Sequence, residues 1–273
     1  MKTKTKIFWY SVFTVFSLLM LYPILFALSN SFKTLPDAIA TIMNLIPGAP
    51  TLQNYAFLFY RLDIIRIIGN TFVIAIAVTA FQLITSVLAA YALVFFDFKF
   101  KNTLYFILIA TIFIPFTVTM IPNFITVSRL GLIDNPIGVI LPQLANALGI
   151  FLMRQSMRMI PKPLVEYAHL EKLGHLKIMK DIVVPLTKPA IISTGIIFFI
   201  NSWNEFVWPM LILRANEQFT LPLAMQMFIS AEGGSDFTTA MALAVVSMIV
   251  PLILFLVFQK HIMNTFISTG VKG

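Results

Sequence analysis

Residues 154–189, RQSMRMIPKPLVEYAHLEKLGHLKIMKDIVVPLTKP, decide the fold because they form a long polar segment in an otherwise apolar chain. The segment carries seven basic residues and three acidic ones, namely Arg154, Arg158, Lys162, Lys172, Lys177, Lys180, Lys188, Glu166, Glu171 and Asp181. Apolar segments lie on both sides, which indicates a loop between two membrane spans. Loops rich in Lys and Arg are typical of the cytoplasmic side, so this loop is predicted to be cytoplasmic.

The loop has the pattern of two short amphipathic helices. Pro163 suits the first turn of a helix, and Gly174 is expected to end that helix in a left-handed conformation. Apolar residues recur at helical spacing in both halves, at Leu164, Val165, Ala168 and Leu173 and then at Ile178, Met179, Ile182 and Val183. Pro185 and Pro189 mark the return of the chain to the membrane.

Two interpretations fit such a helix pair. The helices suit docking in a groove on another protein, as amphipathic helices commonly do. They also suit a position on anionic lipid, with their lysines facing the headgroups. Composition alone favours the second interpretation, a helix pair that lies on anionic lipid.

The overall composition indicates a membrane protein. Apolar residues make up 59% of the 273-residue chain, charged residues make up 11%, and cysteine is absent. No disulfide framework or thiolate metal site is therefore expected. The formal net charge is +8. The basic residues follow the predicted loops and do not form one patch, which decides against binding to nucleic acid.

Six membrane spans are predicted from apolar segments long enough to cross a bilayer, at residues 8–29, 67–96, 102–128, 135–153, 189–213 and 237–259. The first segment follows a basic N-terminus, as a secretory signal does. It is too long for a typical signal core, so we interpret it as a retained helix. Glu205 alone interrupts the fifth segment.

The loop charges support this count. With the N-terminus inside, the cytoplasmic segments 1–6, 97–101, 154–188 and 260–273 hold fourteen of the nineteen Lys and Arg residues. The outer loops hold the other five and also six acidic residues, namely Asp37, Asp63, Asp134, Glu217, Glu232 and Asp236. This bias predicts six helices with both termini in the cytoplasm. The long outer loop 30–66 is either a lip that contacts something outside or a linker.

The chain lacks the motifs of an enzyme. No GxxxxGK[ST] phosphate loop occurs, so the chain is not expected to bind and hydrolyse ATP itself. His169, His175 and His261 have no HExxH spacing, and we interpret them as surface side chains and not as metal ligands. Nucleophile elbows and paired intramembrane carboxylates are also absent, so no catalytic residue is assigned.

The polar residues within the predicted spans are mostly neutral: Asn70, Thr71, Thr79, Gln82, Thr85, Ser86, Thr117, Thr119, Asn123, Gln143, Asn146, Asn201, Ser202 and Asn204. Each one alone is more typical of contacts between helices than of a ligand site. Together, with no intramembrane Lys or Arg, they favour a neutral, hydroxyl-rich solute over an anion.

The run 201–209, NSWNEFVWP, is the main candidate for a substrate path. An amide beside an indole suits a sugar, because the amide bonds hydroxyls and the ring covers C–H groups. Possible path residues are Asn123, Asn201, Trp203, Asn204 and Glu205. The alternatives are structural: Glu205 pairs between helices, and Trp208 with Pro209 lies at the outer membrane interface. For Glu205 the structural interpretation is slightly favoured.

Several short motifs resemble the permease subunits of bacterial ABC importers. Glu166-Tyr167-Ala168, followed by Ile182 and Pro185, is similar to the EAA signature of that family. Other motifs resemble its carbohydrate branch: 51–55 (TLQNY), 70–71 (NT), 90–93 (AYAL), 96–99 (FDFK), 131–135 (GLIDN), 203–209 (WNEFVWP), 220–223 (TLPL) and 270–273 (GVKG). Their order and spacing resemble the second permease subunit of the maltose-type importer, over nearly the whole chain.

The resemblance implies an all-α, type I ABC importer transmembrane fold in a bacterial cell membrane. Its expected segments are residues 1–65 (first helix and long outer loop), 66–260 (importer domain of five helices, with coupling loop 154–188) and 261–273 (cytoplasmic tail). It implies as partners a second permease, two cytoplasmic ATPase subunits and an extracytoplasmic solute-binding protein. ATP and Mg²⁺ would bind to the ATPase subunits, and this chain would bind no cofactor.

The resemblance also implies how the loop works. It would lie in a groove of the ATPase subunit and carry ATPase closure to the membrane helices, inward-open without ATP and outward-open with it. The implied coupling residues are Glu166, Tyr167, Ala168, Leu170, Glu171, Lys172, Leu173, Gly174, Ile182 and Pro185. Such coupling requires different contacts in the two states.

The sequence departs from the family pattern in the loop. Tyr167 replaces a second alanine, and Lys172 stands where the family has its signature glycine, with Gly174 two residues later. A non-glycine residue in a left-handed conformation costs about 1 kcal/mol or more. We therefore expect the turn to be displaced to Gly174, which leaves Lys172 unstrained.

Three alternatives stay open at this point. An importer for glycerol 3-phosphate or glycerophosphodiesters fits the same motifs, since a partner permease can supply the cationic charge. An ion-coupled secondary transporter using Glu205 predicts inverted repeats and helices broken at mid-membrane, and neither is evident in the sequence. A membrane-embedded enzyme acting on lipid lacks an acid–base or metal constellation.

Overall fold

The computed structural model describes residues 3–229 and 236–270, which form α-helices and short 3₁₀ and π turns without a strand. The α-helices are α1 (Thr3–Ser31), α2 (Leu35–Ala40), α3 (Gln53–Tyr60), α4 (Ile64–Phe95), α5 (Lys101–Ala110), α6 (Phe116–Arg129), α7 (Pro136–Ile140), α8 (Ala147–Arg158), α9 (Lys162–Leu170), α10 (His175–Ile178), α11 (Val184–Trp203), α12 (Val207–Ile212), α13 (Leu221–Ile229) and α14 (Phe237–Gly270). The predicted all-α class is confirmed. Glu232 and residues 271–273 of the GVKG motif lie outside the described residues.

Four continuous helices in the described part of the chain are long and apolar enough to cross a membrane, namely Thr5–Ser31, Ile64–Phe95, His175–Trp203 and Phe237–Gln259. Two bent helix pairs also have the required length and composition. Counting each bent pair as one span gives six, the number predicted from the sequence.

The third span is sharply broken. Residues Lys101–Phe113 and Phe116–Arg129 meet at an angle of 96°, so the predicted span 102–128 is a bent pair and not one straight helix. Pro115 explains the position of the break. The residue before a proline is driven out of the helical region, and Ile114 has an extended backbone with φ −88° and ψ 109°.

The fourth span bends by 48° between Pro136–Gln143 and Ala147–Arg158. The side chains of α4 bond the carbonyls that this bend releases: Gln82 Nε2 donates to Gln143 O at 2.9 Å, and Thr85 Oγ1 donates to Leu144 O at 3.0 Å. Asn146 caps the next helix by accepting from the N–H groups of Leu148 and Gly149. Broken helices therefore exist here, contrary to the sequence interpretation.

The fifth span differs most from its predicted bounds of 189–213. One helix runs from His175 to Trp203, through a π turn at Met179–Val183 in which Val184 N–H bonds to Met179 O. The wider turn gives Pro185 room, because a proline ring crowds the carbonyl four residues before it. The second helix of the polar loop is thus continuous with the membrane span.

The chain forms two compact units. The first contains residues 1–68 and 221–252, and its outer loop is well organised. Lys33 is fully buried, and its Nζ donates to Thr41 O and Asn44 O, at 2.7 Å each. Asn54 Nδ2 bonds Lys33 O at 2.9 Å, and Asn54 Oδ1 accepts from Thr238 Oγ1 at 3.1 Å. These bonds fix the loop to α3 and to the start of α14.

The second unit contains residues 69–220 and 253–273. Asp134 forms a clasp within it, because its Oδ1 accepts from the N–H groups of Arg214 and Ala215 at 2.9 Å each. Its own N–H donates to Ile212 O at 2.8 Å. The two side-chain bonds lower the pKa of the Asp134 carboxyl. The bond from Ala215 N–H has the largest effect, and the bond from Arg214 N–H comes next.

Replacing Asp134 with alanine is expected to loosen the clasp and to lower the thermal midpoint of the purified protein. Asp134→Asn keeps a hydrogen-bond acceptor and tolerates the left-handed backbone of this residue (φ 58°), so its thermal midpoint should fall less than that of the alanine variant. Because the folded-state pKa is lowered, the carboxylate contributes stability above its ordinary pKa of about 4. That contribution is lost as the pH falls through the lowered value. Thermal unfolding measured across this pH range should show that the wild type loses this stability at acid pH and that Asp134→Asn does not.

Candidate functional site

The polar loop folds into a hairpin of two helical arms, α9 and His175–Val183, which we call the basic hairpin (residues 162–183). Its inner face is apolar and packs onto the ends of α4 and α8. The buried residues of this core are Ala90, Tyr91, Met153, Met157, Ile160, Val165, Ala168, Ile178 and Val183. The hairpin is therefore anchored to two membrane helices by burial of apolar surface.

The outer face of the basic hairpin is exposed and partly apolar. Tyr167 is 68% exposed, Leu170 is 75% exposed, and Leu176 on the other arm is 76% exposed. Leu164, three residues before Tyr167, extends this ridge along α9. Exposed apolar side chains grouped on a protruding helix pair are typical of a surface for another protein.

The ten residues that the sequence singled out in this loop divide between the two faces. Exposed are Glu166, Tyr167, Leu170, Glu171, Lys172, Gly174 and Pro185, whereas Ala168 is buried and Leu173 and Ile182 are half-buried. The last three belong to the core or pack against it. They support the hairpin from inside and are not available to a partner in this conformation.

The turn between the arms corrects a sequence expectation. Lys172, and not Gly174, has the left-handed backbone, with φ 60°. Gly174 has φ −70° and ψ 153°, an extended conformation open to any residue, and it precedes α10. The displaced turn predicted from the sequence is wrong.

Hydrogen bonds explain why the turn stays at Lys172. Lys172 N–H donates to His169 O at 2.9 Å, and Leu173 N–H donates to Ala168 O at 3.1 Å. These are the two bonds of a Schellman motif, which satisfies the free carbonyls at a helix end and requires a left-handed residue at this position. Leu173 also packs against the core that contains Ala168. The two bonds and this contact offset the strain at Lys172.

His175 joins the basic hairpin to the end of α4. Its Nδ1 lies 3.1 Å from Tyr91 Oη, its ring stacks on Phe96 with 4.4 Å between centroids, and it contacts the His169 ring edge-to-face at 4.9 Å. Sequence reasoning treated these histidines only as surface residues and missed this cluster. The sequence feature that could have revealed the cluster is the pair of motifs 90–93 and 96–99, which contain Tyr91 and Phe96. Among the described residues, no group of three or more His, Asp or Glu could hold a metal ion; the side chain of His261 is not described.

The second candidate region lies where α11 ends. Trp203 is fully buried and packs its ring against Phe72 and Phe199, with centroids 4.8 and 5.7 Å apart. Trp208 is also fully buried, and its Nε1 donates to Val139 O at 3.2 Å. The suggestion that Trp208 lies near the outer membrane interface stays a prediction, because burial within the protein does not fix depth in the membrane. Both indoles act here as packing elements.

Glu205 lies in the break between α11 and α12 and is half-buried. Its Oε1 accepts from Trp208 N–H at 3.2 Å, which satisfies a free donor in the first turn of α12. This is a structural contact, but it is a local cap and not the pairing between helices suggested by the sequence. Asn204 is exposed and bonds Ile200 O at 2.9 Å, Asn201 is exposed, and Asn123 is half-buried on α6.

Comparisons of the sequence and the structure with known proteins all identify components of transport systems. Residues 82–267 match the family described as binding-protein-dependent transport system inner membrane component. The arabinooligosaccharide transport permease AraQ of Bacillus subtilis (strain 168) is 32% identical over 264 residues, covering 96% of this chain and 94% of that protein. The sn-glycerol-3-phosphate transport permease UgpE of Rhizobium meliloti (strain 1021) is 28% identical over 260 residues and covers 92% of both chains.

A solved structure is also similar. It is a chain of a bacterial ABC transporter involved in the import of the acidic polysaccharide alginate, with a TM-score of 0.83 and 26% identity. The match covers 95% of this chain and 98% of that one. The importer fold implied by the sequence resemblance is confirmed.

Replacing Lys172 with glycine is expected to stabilise the basic hairpin by roughly 1 kcal/mol, because glycine adopts the left-handed backbone without a Cβ clash. Hydrogen exchange of the amides of residues 168–178 should slow accordingly. Gly174→Ala is the matched control, since a Cβ there meets no atom within 4 Å. Faster exchange in Gly174→Ala than in the wild type would contradict the position of the turn.

Proposed function

The chain belongs to the family of binding-protein-dependent transport system inner membrane components, and we propose that it is one permease subunit of an ATP-driven sugar importer. With a second permease it would form the translocation path for a sugar or oligosaccharide. Two ATPase subunits would hydrolyse ATP with Mg²⁺ inside the cell, and a solute-binding protein would deliver the solute from outside. This chain would contribute no catalytic group.

One observation carries the proposed coupling role: the basic hairpin presents its outer face to solvent, and its second arm belongs to the same helix that ends at Trp203. A partner that contacts Leu176 therefore acts directly on a membrane helix, and one that contacts Tyr167 and Leu170 on α9 acts through the turn at Lys172. The inner face adds a second connection, because it packs on α4 and α8. Movement of the hairpin would be transmitted to three helices at once.

The orientation follows from the loop charges. The basic hairpin would face the cytoplasm, where the ATPase subunits lie, and both termini would be on the same side. The outer loop that contains Lys33 would face the solute-binding protein. Its internal hydrogen bonds support a preformed contact surface over a loose linker.

The substrate class is supported by the neutral polar groups of the spans and by the relatives. The AraQ relative favours an oligosaccharide. The UgpE relative favours glycerol 3-phosphate as a second candidate. The cap formed by Glu205 argues against the ion-coupled alternative, because that carboxylate already accepts a backbone N–H. Binding-protein-dependent family membership argues against it too.

Charge reversal at Glu166 tests the coupling role. In the assembled transporter, Glu166→Lys is expected to reduce binding-protein-stimulated ATP hydrolysis and uptake by about tenfold or more, because a like-charge contact in a complementary interface costs several kcal/mol. The complex should still insert and purify. Glu217→Lys, a reversal at another exposed residue predicted to lie outside the cell, is the control.

Normal stimulated ATPase activity in Glu166→Lys would contradict docking through this residue. Equal loss in Glu217→Lys would show a general effect of added positive charge. Uptake that persists without any ATPase subunit would overturn the importer proposal as a whole.

The solute is identified through the co-purifying binding protein. We expect it to bind an oligosaccharide more tightly than glycerol 3-phosphate, measured by calorimetry with both ligands. Proteoliposomes that contain the complete transporter should take up the same ligand. A binding protein that selects glycerol 3-phosphate would favour the second candidate and leave the coupling role intact.

A further inference from the structure

A cavity of about 1030 Å³ lies beside the first arm of the basic hairpin, within the second compact unit. The end of α4, the start of α5, the end of α8 and the start of α9 enclose it. Its wall contains four basic residues, Lys101, Arg154, Arg158 and Lys162, and two acidic ones, Asp97 and Glu166. Lys101 pairs with Asp97, which leaves Arg154, Arg158 and Lys162. Glu166 is the one proposed coupling residue that lines the cavity.

The three basic residues have no carboxylate partner. Within residues 3–229 and 236–270, none of them lies within 4.0 Å of an acidic oxygen, and the ion pair seen there joins Lys101 to Asp97 at 3.5 Å. Arg154 and Arg158 are four residues apart on α8, so they share one face and repel each other. Glu166 also lines the cavity but pairs with none of them. The wall therefore carries uncompensated positive charge.

Arg154 is held in place for binding. Its guanidinium lies over the Tyr105 ring, 3.7 Å from the centroid, which fixes the plane of the group. Its Nε is buried and has no hydrogen-bond partner. That atom is closed to solvent, so a ligand in the cavity would contact the other two nitrogens of the guanidinium.

Part of the remaining wall is apolar and aromatic, whereas Asn102, Thr103 and His169 are polar. Phe95, Phe98 and Phe100 line the cavity together with Leu93. An anionic group bound by the three cations would thus lie next to a surface suited to hydrocarbon. Arginine forks match phosphate oxygens in geometry, which makes phosphate the best-fitting anion.

We propose that this cavity binds a phosphate-bearing anion, with Arg154, Arg158 and Lys162 as its ligands. The apolar part of the wall, at Leu93, Phe95, Phe98 and Phe100, favours an anionic phospholipid over free phosphate as the source. Because Arg154 and Arg158 lie on α8 and Lys162 begins α9, the bound group bridges a membrane helix and the basic hairpin. Phosphate binding would stiffen the connection through which the hairpin moves the membrane helices.

The lipid arm of the test uses the full-length chain in complex with its partners, in nanodiscs of phosphatidylcholine with or without phosphatidylglycerol. After extraction, native mass spectrometry counts the retained phosphatidylglycerol. Arg158→Gln is expected to retain about fivefold less than the wild type, corresponding to about 1 kcal/mol for each basic residue at an anionic surface. Arg158 is exposed, so its replacement should not impair folding. Lys180→Gln, an exposed cation of the hairpin outside the cavity wall, is the control.

The free-anion arm compares inorganic phosphate with chloride at equal ionic strength and measures the thermal midpoint. A rise with phosphate in the wild type and in Lys180→Gln, but not in Arg158→Gln, would identify free phosphate as the source. Selective loss of phosphatidylglycerol in Arg158→Gln would identify the lipid. Equal behaviour of Arg158→Gln and Lys180→Gln in both arms would overturn the proposal.

A labelling experiment separates a phosphate ligand from a protein ligand. The chain has no cysteine, so Thr103→Cys places a single thiol in the cavity wall. Phosphatidylglycerol or phosphate should protect this thiol from a negatively charged reagent with the ATPase subunits absent. Protection that appears only when the ATPase subunits are added would assign the cavity to that partner and overturn phosphate binding.

Discussion

The structure of this chain depends on hydrogen bonding of every backbone N–H and C=O group that lies in the hydrocarbon of the membrane. A bilayer offers no water to free N–H and C=O groups, so each interruption of a spanning helix needs a substitute partner. Gln82 and Thr85 supply it for the carbonyls of Gln143 and Leu144, and Glu205 supplies it for Trp208 N–H. The polar residues inside the membrane helices therefore make broken spans possible before they can serve any solute.

The same demand shapes the basic hairpin. At the end of α9, two backbone bonds hold Lys172 in a left-handed conformation, although Gly174 is only two residues away. Before Pro185, a π turn keeps the helix bonded where an ordinary turn would clash. Satisfied backbone groups thus outweigh local side-chain preference at both ends of the hairpin. The result is a rigid, anchored element with one free face.

Composition was sufficient to predict the class and the location of the spans along the sequence, with six spans when each bent pair is counted as one. Those features depend on the length of apolar segments, which is local in sequence. The breaks were not predictable in this way, because the partner of Gln143 is Gln82, which lies 61 residues earlier. Burial of Trp208 depends equally on Val139, a residue of another helix. The site was predicted as a segment, but its division into an anchored and a free face required the fold.

The length of the continuous helix from His175 to Trp203 determines how far one end moves when the helix tilts. At 1.5 Å per residue, its 29 residues make a rod of about 43 Å. Tilting such a rod by about 10° around one end carries the other end sideways by roughly 7 Å, about the pitch of one helical turn or slightly more. The π turn lies close to the hairpin end, where a pivot gives the longest lever arm. Under the proposed coupling role, a small rotation imposed at the hairpin would be magnified at Trp203, as by a lever.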